Sequence, residues 1–197
     1  MLPIAAAPGF FRNLDAAKWG DIGQATLDTL LMLAGALPLT LLIGLPLGVA
    51  LFLCGAPQLR RRPVLYGALA AVINLLRSVP FIILMIAMIP LTLMLMGTSL
   101  GVRGAILPLV VGAAPFYARL VETALREVDR GIIEASQAMG ATTRQLVWRV
   151  LLPEARPGLI AGATVTTIAL ITVIALLVLV QLLQMLGDRL VARYSRR

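Results

Sequence analysis

Charged positions are so sparse along this chain that four stretches of fifteen residues or more carry none: Thr29–Leu59, Ser78–Val102, Gly104–Ala118 and Pro157–Gly187. About 20 apolar residues span the hydrocarbon layer as a helix. Backbone groups in lipid must be satisfied inside their own segment, which again favours helices. Membrane strands would show alternating segments of about ten residues, and these runs do not alternate. The pattern predicts an all-α, polytopic helical membrane protein.

The first span is predicted over Thr26–Cys54, where Pro38, Gly44, Pro46 and Gly48 are interruptions that membrane helices tolerate when neighbours compensate. "GAPQLRRRP" breaks that helix. Val64–Leu76 is too short to span alone, so it reads as the lead-in to one long, bent helix continuing to about Met96, with Pro80 near the bend. "MGTSLG" makes a turn on the outer side. Gly104–Leu125 returns inward, loosened by Pro108, Gly112 and Pro115, with Arg119 long enough to snorkel to the inner surface. Residues 1–25 read as an external interfacial segment with Phe10, Phe11 and Trp19 near the headgroups. They lack the layout of a cleavable signal. Residues 26–197 form the transmembrane domain.

Composition agrees. The chain is 60% hydrophobic and 13% charged, with a mean hydropathy of +0.96, against roughly half and a quarter for soluble domains. The net charge of +8 comes from arginines in connections: Arg60 to Arg62, Arg119 to Arg156, and Arg189 to Arg197. That is the signature of loops kept inside. It places residues 55–63 and 126–157 in the cytoplasm and the N-terminus outside. Groove-helix and paired-aromatic signals are absent, so no nucleic acid is expected as a partner.

Residue types narrow the chemistry further. There is no histidine, one cysteine (Cys54) and one lysine (Lys18). A His- or Cys-based metal site therefore has no ligands, and no catalytic residue is assigned. Cys54 reads as a small buried hydrophobe. The phosphate-binding G-x-x-x-x-G-K-[ST] loop is missing, because the only lysine lies in "AAKWGD". Asn74, Arg77 and Ser78 form a polar cluster in the second span and are candidates for a translocation pathway, since charge inside a membrane is functional by default. The alternative is that Arg77 snorkels to the inner interface. The eight methionines are flexible packing residues.

One stretch differs from its surroundings: "EASQAMGATTRQLVWRVLLPEARPG", Glu134 to Gly158. "GIIEASQAM" predicts a short helix with small residues Ala135, Ser136 and Ala138. Gly140 suits the left-handed position beyond a helix end. Thr142 with Gln145 three residues later makes a capping box that restarts a helix. Leu146, Val147, Val150 and Leu151 recur at helical spacing and should face apolar surroundings. The result is helix, glycine hinge, helix, with Glu134 at its tip. It is either a knob for another protein's groove or a cytosolic loop without a partner.

The stretch is similar to the cytoplasmic motif of ABC-importer permeases: E-A-A, three residues, G, nine residues, I-x-L-P. The chain supplies Glu134, Ala135, Ser136, then Gly140, then Val150, Leu152 and Pro153, with serine for the second alanine and valine for isoleucine. More narrowly, "NLLRSVPFIILMIAMIP", "GTSLG" and "GAAPFYAR" resemble the permease subunit of bacterial methionine importers, over roughly Thr29 to Thr172.

The resemblance implies a type I ABC importer permease fold in the bacterial inner membrane. It implies a homodimer that moves methionine or a related amino acid, with ATP and Mg bound by partner ATPase subunits and no cofactor in this chain. An external substrate-binding lipoprotein would deliver the cargo. Glu134–Gly140 would be the helix seated in the ATPase groove. After Thr172 the pattern departs, because the family has a fourth span, a glycine-rich outer stretch and a fifth span. Here Pro157–Gly187 is too short for two spans and a turn, as though about thirty residues were absent. The last two spans are thus fused or truncated, with four or five spans and either side for the C-terminus open. A non-transporting permease remnant that still binds ATPase subunits is the alternative function.

Overall fold

A computed structural model describes residues 18–56, 59 and 62–194, and the backbone alone for residues 18–23, 25, 177, 178 and 180–194. The interfacial segment expected around Phe10 and Phe11, and Arg60, Arg61, Arg196 and Arg197, lie outside the described residues. Helix α1 is Lys18–Gly55, α2 Pro63–Ser78, α3 Phe81–Ala87, α4 Ile89–Met96 and α5 Gly101–Arg126. Then come α6 Arg130–Ala138, α7 Thr143–Gln145, a π-helical turn Leu146–Leu151, α8 Leu152–Glu154 and α9 Arg156–Tyr194. Among the described residues three helical stretches are long and apolar enough to cross a membrane: Thr26–Gly55, Gly101–Arg126 and Arg156–Leu176.

The expected single bent helix from Val64 to Met96 is instead three helices. α2 and α3 meet at 102°. The cause is local: a proline ring disfavours helical geometry in the residue before it, and Val79, ahead of Pro80, is extended at φ −76°, ψ 125°. Pro90 sits in the first turn of α4, where its missing N–H costs nothing. It cannot serve as the helix donor to the Ile86 carbonyl, and the chain breaks again at Met88. The "MGTSLG" turn is present, with Gly97 and Gly101 both left-handed at φ 72° and 71°.

By contrast, Pro38 and Pro46 do not end α1, which runs unbroken for 38 residues. The chain after Thr172 also continues as one helix. α9 has 39 residues, about 58 Å at 1.5 Å per residue, well beyond a hydrocarbon core of about 30 Å.

α5 is the helix on which the others pack. Two glycine pairs at i, i+4 spacing, Gly44/Gly48 on α1 and Gly158/Gly162 on α9, let neighbouring backbones reach it. A Cβ on Gly48 would stand 2.5 Å from the Ala118 carbonyl oxygen, and one on Gly44 2.9 Å from that of Ala114. On the α9 seam, a Cβ on Gly158 would meet the Ala124 methyl at 2.7 Å. Lipid supplies no hydrophobic drive between helices, so close van der Waals packing through small residues must hold them together. Around these seams lie Leu51, Leu109, Val121, Leu125 and Ile174, all buried.

Gly48→Val should therefore lower thermal stability of the purified protein, on the order of 1–3 kcal/mol as for overpacked cores. Gly67→Ala is the control, since nothing lies within 4 Å of its added methyl. Melting in detergent, followed by circular dichroism, measures both. A Gly48→Val protein as stable as wild type would refute the seam.

Candidate functional site

The helix–glycine–helix element forms as its sequence requires. The Asp129 carboxylate caps α6 by accepting from the Gly131 N–H. α6 ends where the Gly140 N–H bonds the Gln137 carbonyl at 2.9 Å and the Ala141 N–H bonds that of Ser136 at 3.1 Å. Gly140 has φ +80° with open space where a Cβ would be. The capping box is complete: the Thr142 hydroxyl accepts from the Gln145 N–H, and the Gln145 side chain accepts from the Thr142 N–H at 2.9 Å.

Motif residues divide between two tasks. Glu134, Ala135 and Ala138 face outward from α6, while Ile133 and Ser136 face inward and are buried. The Ser136 hydroxyl donates to the Ile132 carbonyl at 2.7 Å, which satisfies it where an alanine would have no polar group. Leu146, Val147 and Leu151 are buried with Ile133, Val121, Leu125 and Phe52, and Val150 and Leu152 pack on the same cluster. The second half of the motif thus anchors the element to α1 and α5, leaving Glu134, Ala135 and Ala138 on an exposed face. The stretch Leu146–Leu151 is π-helical, with the Leu152 N–H reaching back five residues to the Val147 carbonyl. Pro153, which cannot donate to the Arg149 carbonyl, follows directly. π-bulges frequently mark functional sites.

A second constellation was not anticipated. Glu122, in the last two turns of α5, is 3% exposed. Its carboxylate accepts from Arg119 Nη1 at 2.6 Å, Arg126 Nη2 at 2.7 Å and Nε at 3.1 Å, and the Tyr66 hydroxyl at 3.1 Å. Arg119 Nη2 also donates to Asn74 Oδ1 at 3.1 Å. Tyr66 and Asn74 belong to α2, two helical turns apart, so the cluster clasps α2 to α5. Arg119, expected to snorkel, is held by Glu122 and Asn74 instead. The signal was present in the sequence: arginines at i−3 and i+4 from a lone acidic residue in an apolar helix.

The predicted polar cluster of the second span is dispersed. Asn74 joins Arg119, and the Ser78 hydroxyl donates to the Asn74 carbonyl at 2.8 Å. Arg77 points elsewhere, its guanidinium 5.7 Å from the Phe116 ring centroid at the wall of a cavity of about 440 Å³. Phe116 lies ten residues before Arg126, about 15 Å along α5. Arg77 thus packs about 15 Å along α5 from the end of that helix, one turn from Arg119. Among the described residues, no cluster of His, Cys, Asp or Glu could hold a metal ion.

An apolar helical bundle that presents such an element beyond its spanning helices defines a membrane subunit of the transporter-permease class. The chain belongs to the binding-protein-dependent transport system inner membrane component family, which matches residues 41–196. It is similar to the D-methionine transport system permease protein MetI of Salmonella typhi, 56% identical over 128 residues, 65% of this chain and 59% of that protein. The methionine import system permease protein MetP of Bacillus subtilis is 46% identical over 161 residues, 82% of this chain and 71% of that one. The chain therefore spans about three fifths of the MetI relative's length. Among solved structures, a chain of the inward-facing MetNI methionine ABC transporter matches with TM-score 0.77 and 39% identity, over 89% of this chain and 96% of that chain.

Removing one partner of a buried ion pair is costly, on the order of 3–5 kcal/mol, because the other charge stays behind. Glu122→Ala should approach the lower end, since Arg126 is half-exposed and can turn to water while Arg119 is more enclosed. Arg126→Ala should cost much less, because Arg119 and Tyr66 still satisfy Glu122. Thermal unfolding of the two variants in detergent decides: equal losses would contradict the clasp.

Proposed function

We propose that this chain is the permease subunit of an ABC importer that moves methionine or a closely related amino acid across the bacterial inner membrane. Two copies form the pathway, ATPase subunits on the cytoplasmic face supply energy by hydrolysing ATP, and an external substrate-binding protein delivers the cargo. The N-terminus is outside, and residues 55–63 and 126–157 are inside. The observation that carries this reading is the docking element: an outward face of Glu134, Ala135 and Ala138, ended by left-handed Gly140 and anchored through Leu146 and Leu151 to α5. Small residues on that face let a partner's groove approach closely. Family membership and the similarity to the methionine permeases MetI and MetP support the cargo class. No observation favours the non-transporting alternative.

A Cβ on Gly140 meets no neighbour within 4 Å, so a substitution there acts first on backbone conformation. The left-handed geometry costs an L-residue about 1–2 kcal/mol, which Gly140→Val should relieve by reshaping the end of α6. Asparagine tolerates that conformation, so Gly140→Asn should retain docking. Glu134→Lys should weaken docking through charge reversal on the exposed face without disturbing membrane insertion. Co-purification of the ATPase subunit in detergent, with membrane levels followed in parallel, measures all three. Wild-type amounts of ATPase on both Gly140→Val and Glu134→Lys would reduce the element to a loop.

A further inference from the structure

The cavity beside Arg77 lies where α2 breaks into α3, against the middle of α5 and one face of α9. Its walls include Phe81, Leu109, Phe116 and Leu170, and Arg77 alone among the described lining residues is charged. Arg77 makes no hydrogen bond or ion pair with any described residue, only the contact with the Phe116 ring. Arg119 and Arg126, by contrast, both pair with the Glu122 carboxylate. A guanidinium without an anionic partner among the described residues, facing an apolar hollow, complements a ligand that carries its own anionic group and an apolar tail.

The helix break supplies the third element of complementarity. Leu76 lines the cavity, and its carbonyl would bond the N–H of residue 80 if α2 continued. Residue 80 is proline and has no N–H. The last carbonyls of a helix are acceptors at the negative end of its dipole, suited to a cation. Guanidinium, helix-end carbonyl and apolar wall together match carboxylate, ammonium and side chain. At about 440 Å³ the hollow is near the small end of small-molecule sites, roughly 300–1,000 Å³.

We infer that this cavity binds an amino-acid zwitterion with a slim apolar side chain, its carboxylate on Arg77, its ammonium at the carbonyl end of α2 and its side chain against Phe81, Leu109 and Phe116. The cargo named under Proposed function falls in this class, and the site rests on that reading for cargo identity alone. Gly112 keeps the hollow open, since an added Cβ would already stand 3.3 Å from the Leu84 side chain. Asn74 and Ser78 take no part.

The test reads occupancy without requiring transport. In full-length chain carrying Cys54→Ser, Ala113→Cys places a single thiol on the cavity wall, and its alkylation by a maleimide is timed in nanodiscs of neutral lipid. Methionine should slow alkylation, about tenfold when its concentration is some ten times its Kd. Methioninol, with an alcohol in place of the carboxylate, should not. Arg77→Met should abolish protection, as should Gly112→Leu with the arginine intact, and both variants must first elute as wild type on size exclusion. Unchanged protection in Arg77→Met, equal protection by methioninol, or none by methionine would overturn the site. So would loss of methionine protection when phosphatidylglycerol is added, which would make Arg77 a lipid-headgroup contact. ATPase co-purification on the same preparation separates the claims: ATPase bound without protection sinks the cavity alone, and protection without ATPase sinks the docking reading alone.

Discussion

Everything in this fold depends on how closely two backbones can come to α5. Gly44 and Gly48 bring α1 against it on one side, and Gly158 and Gly162 bring α9 against it on another. In lipid no hydrophobic effect would recover the packing that larger residues forfeit at these seams. With both seams closed, α5 is enclosed along most of its length and becomes the common wall of every feature assigned a role.

Three features share that wall. Gly112 and Phe116 face the cavity, Glu122 clasps α2, and Val121 and Leu125 pack under the docking element. A partner that displaces α6 therefore pushes on residues within one turn of Glu122, which holds Tyr66 and, through Arg119, Asn74, and α2 carries Arg77 one turn beyond Asn74. Packed contacts and charge-assisted bonds make this route physically continuous.

Much of this was legible before any coordinates. Uncharged runs located the spans, because charge is costly in hydrocarbon. Gly140, Thr142 and Gln145 located the element, because capping chemistry acts over three or four residues. The 102° break at Pro80 was legible as a place but not as an angle, since whether the chain bends or reverses depends on packing between distant segments. Glu122 was missed for a similar reason: its arginines are local, but Tyr66 is 56 residues away. Asn74, Arg77 and Ser78 share a helix face by their i, i+3, i+4 spacing, yet Asn74 is taken by Arg119 and Arg77 by the Phe116 ring, partners that lie far away in sequence. Gly44 and Gly48 were read as interruptions of a helix, and only the position of α5 shows them to be its contact surface.

The central claim is that the docking element drives movement of an amino acid through the bundle, and transport itself tests it most directly. Proteoliposomes would hold this chain with its ATPase subunit, with the substrate-binding protein and radiolabelled methionine outside and ATP enclosed. The account predicts methionine accumulation that requires enclosed ATP and is lost without the binding protein. An assembled complex that hydrolyses ATP but accumulates no methionine would contradict it.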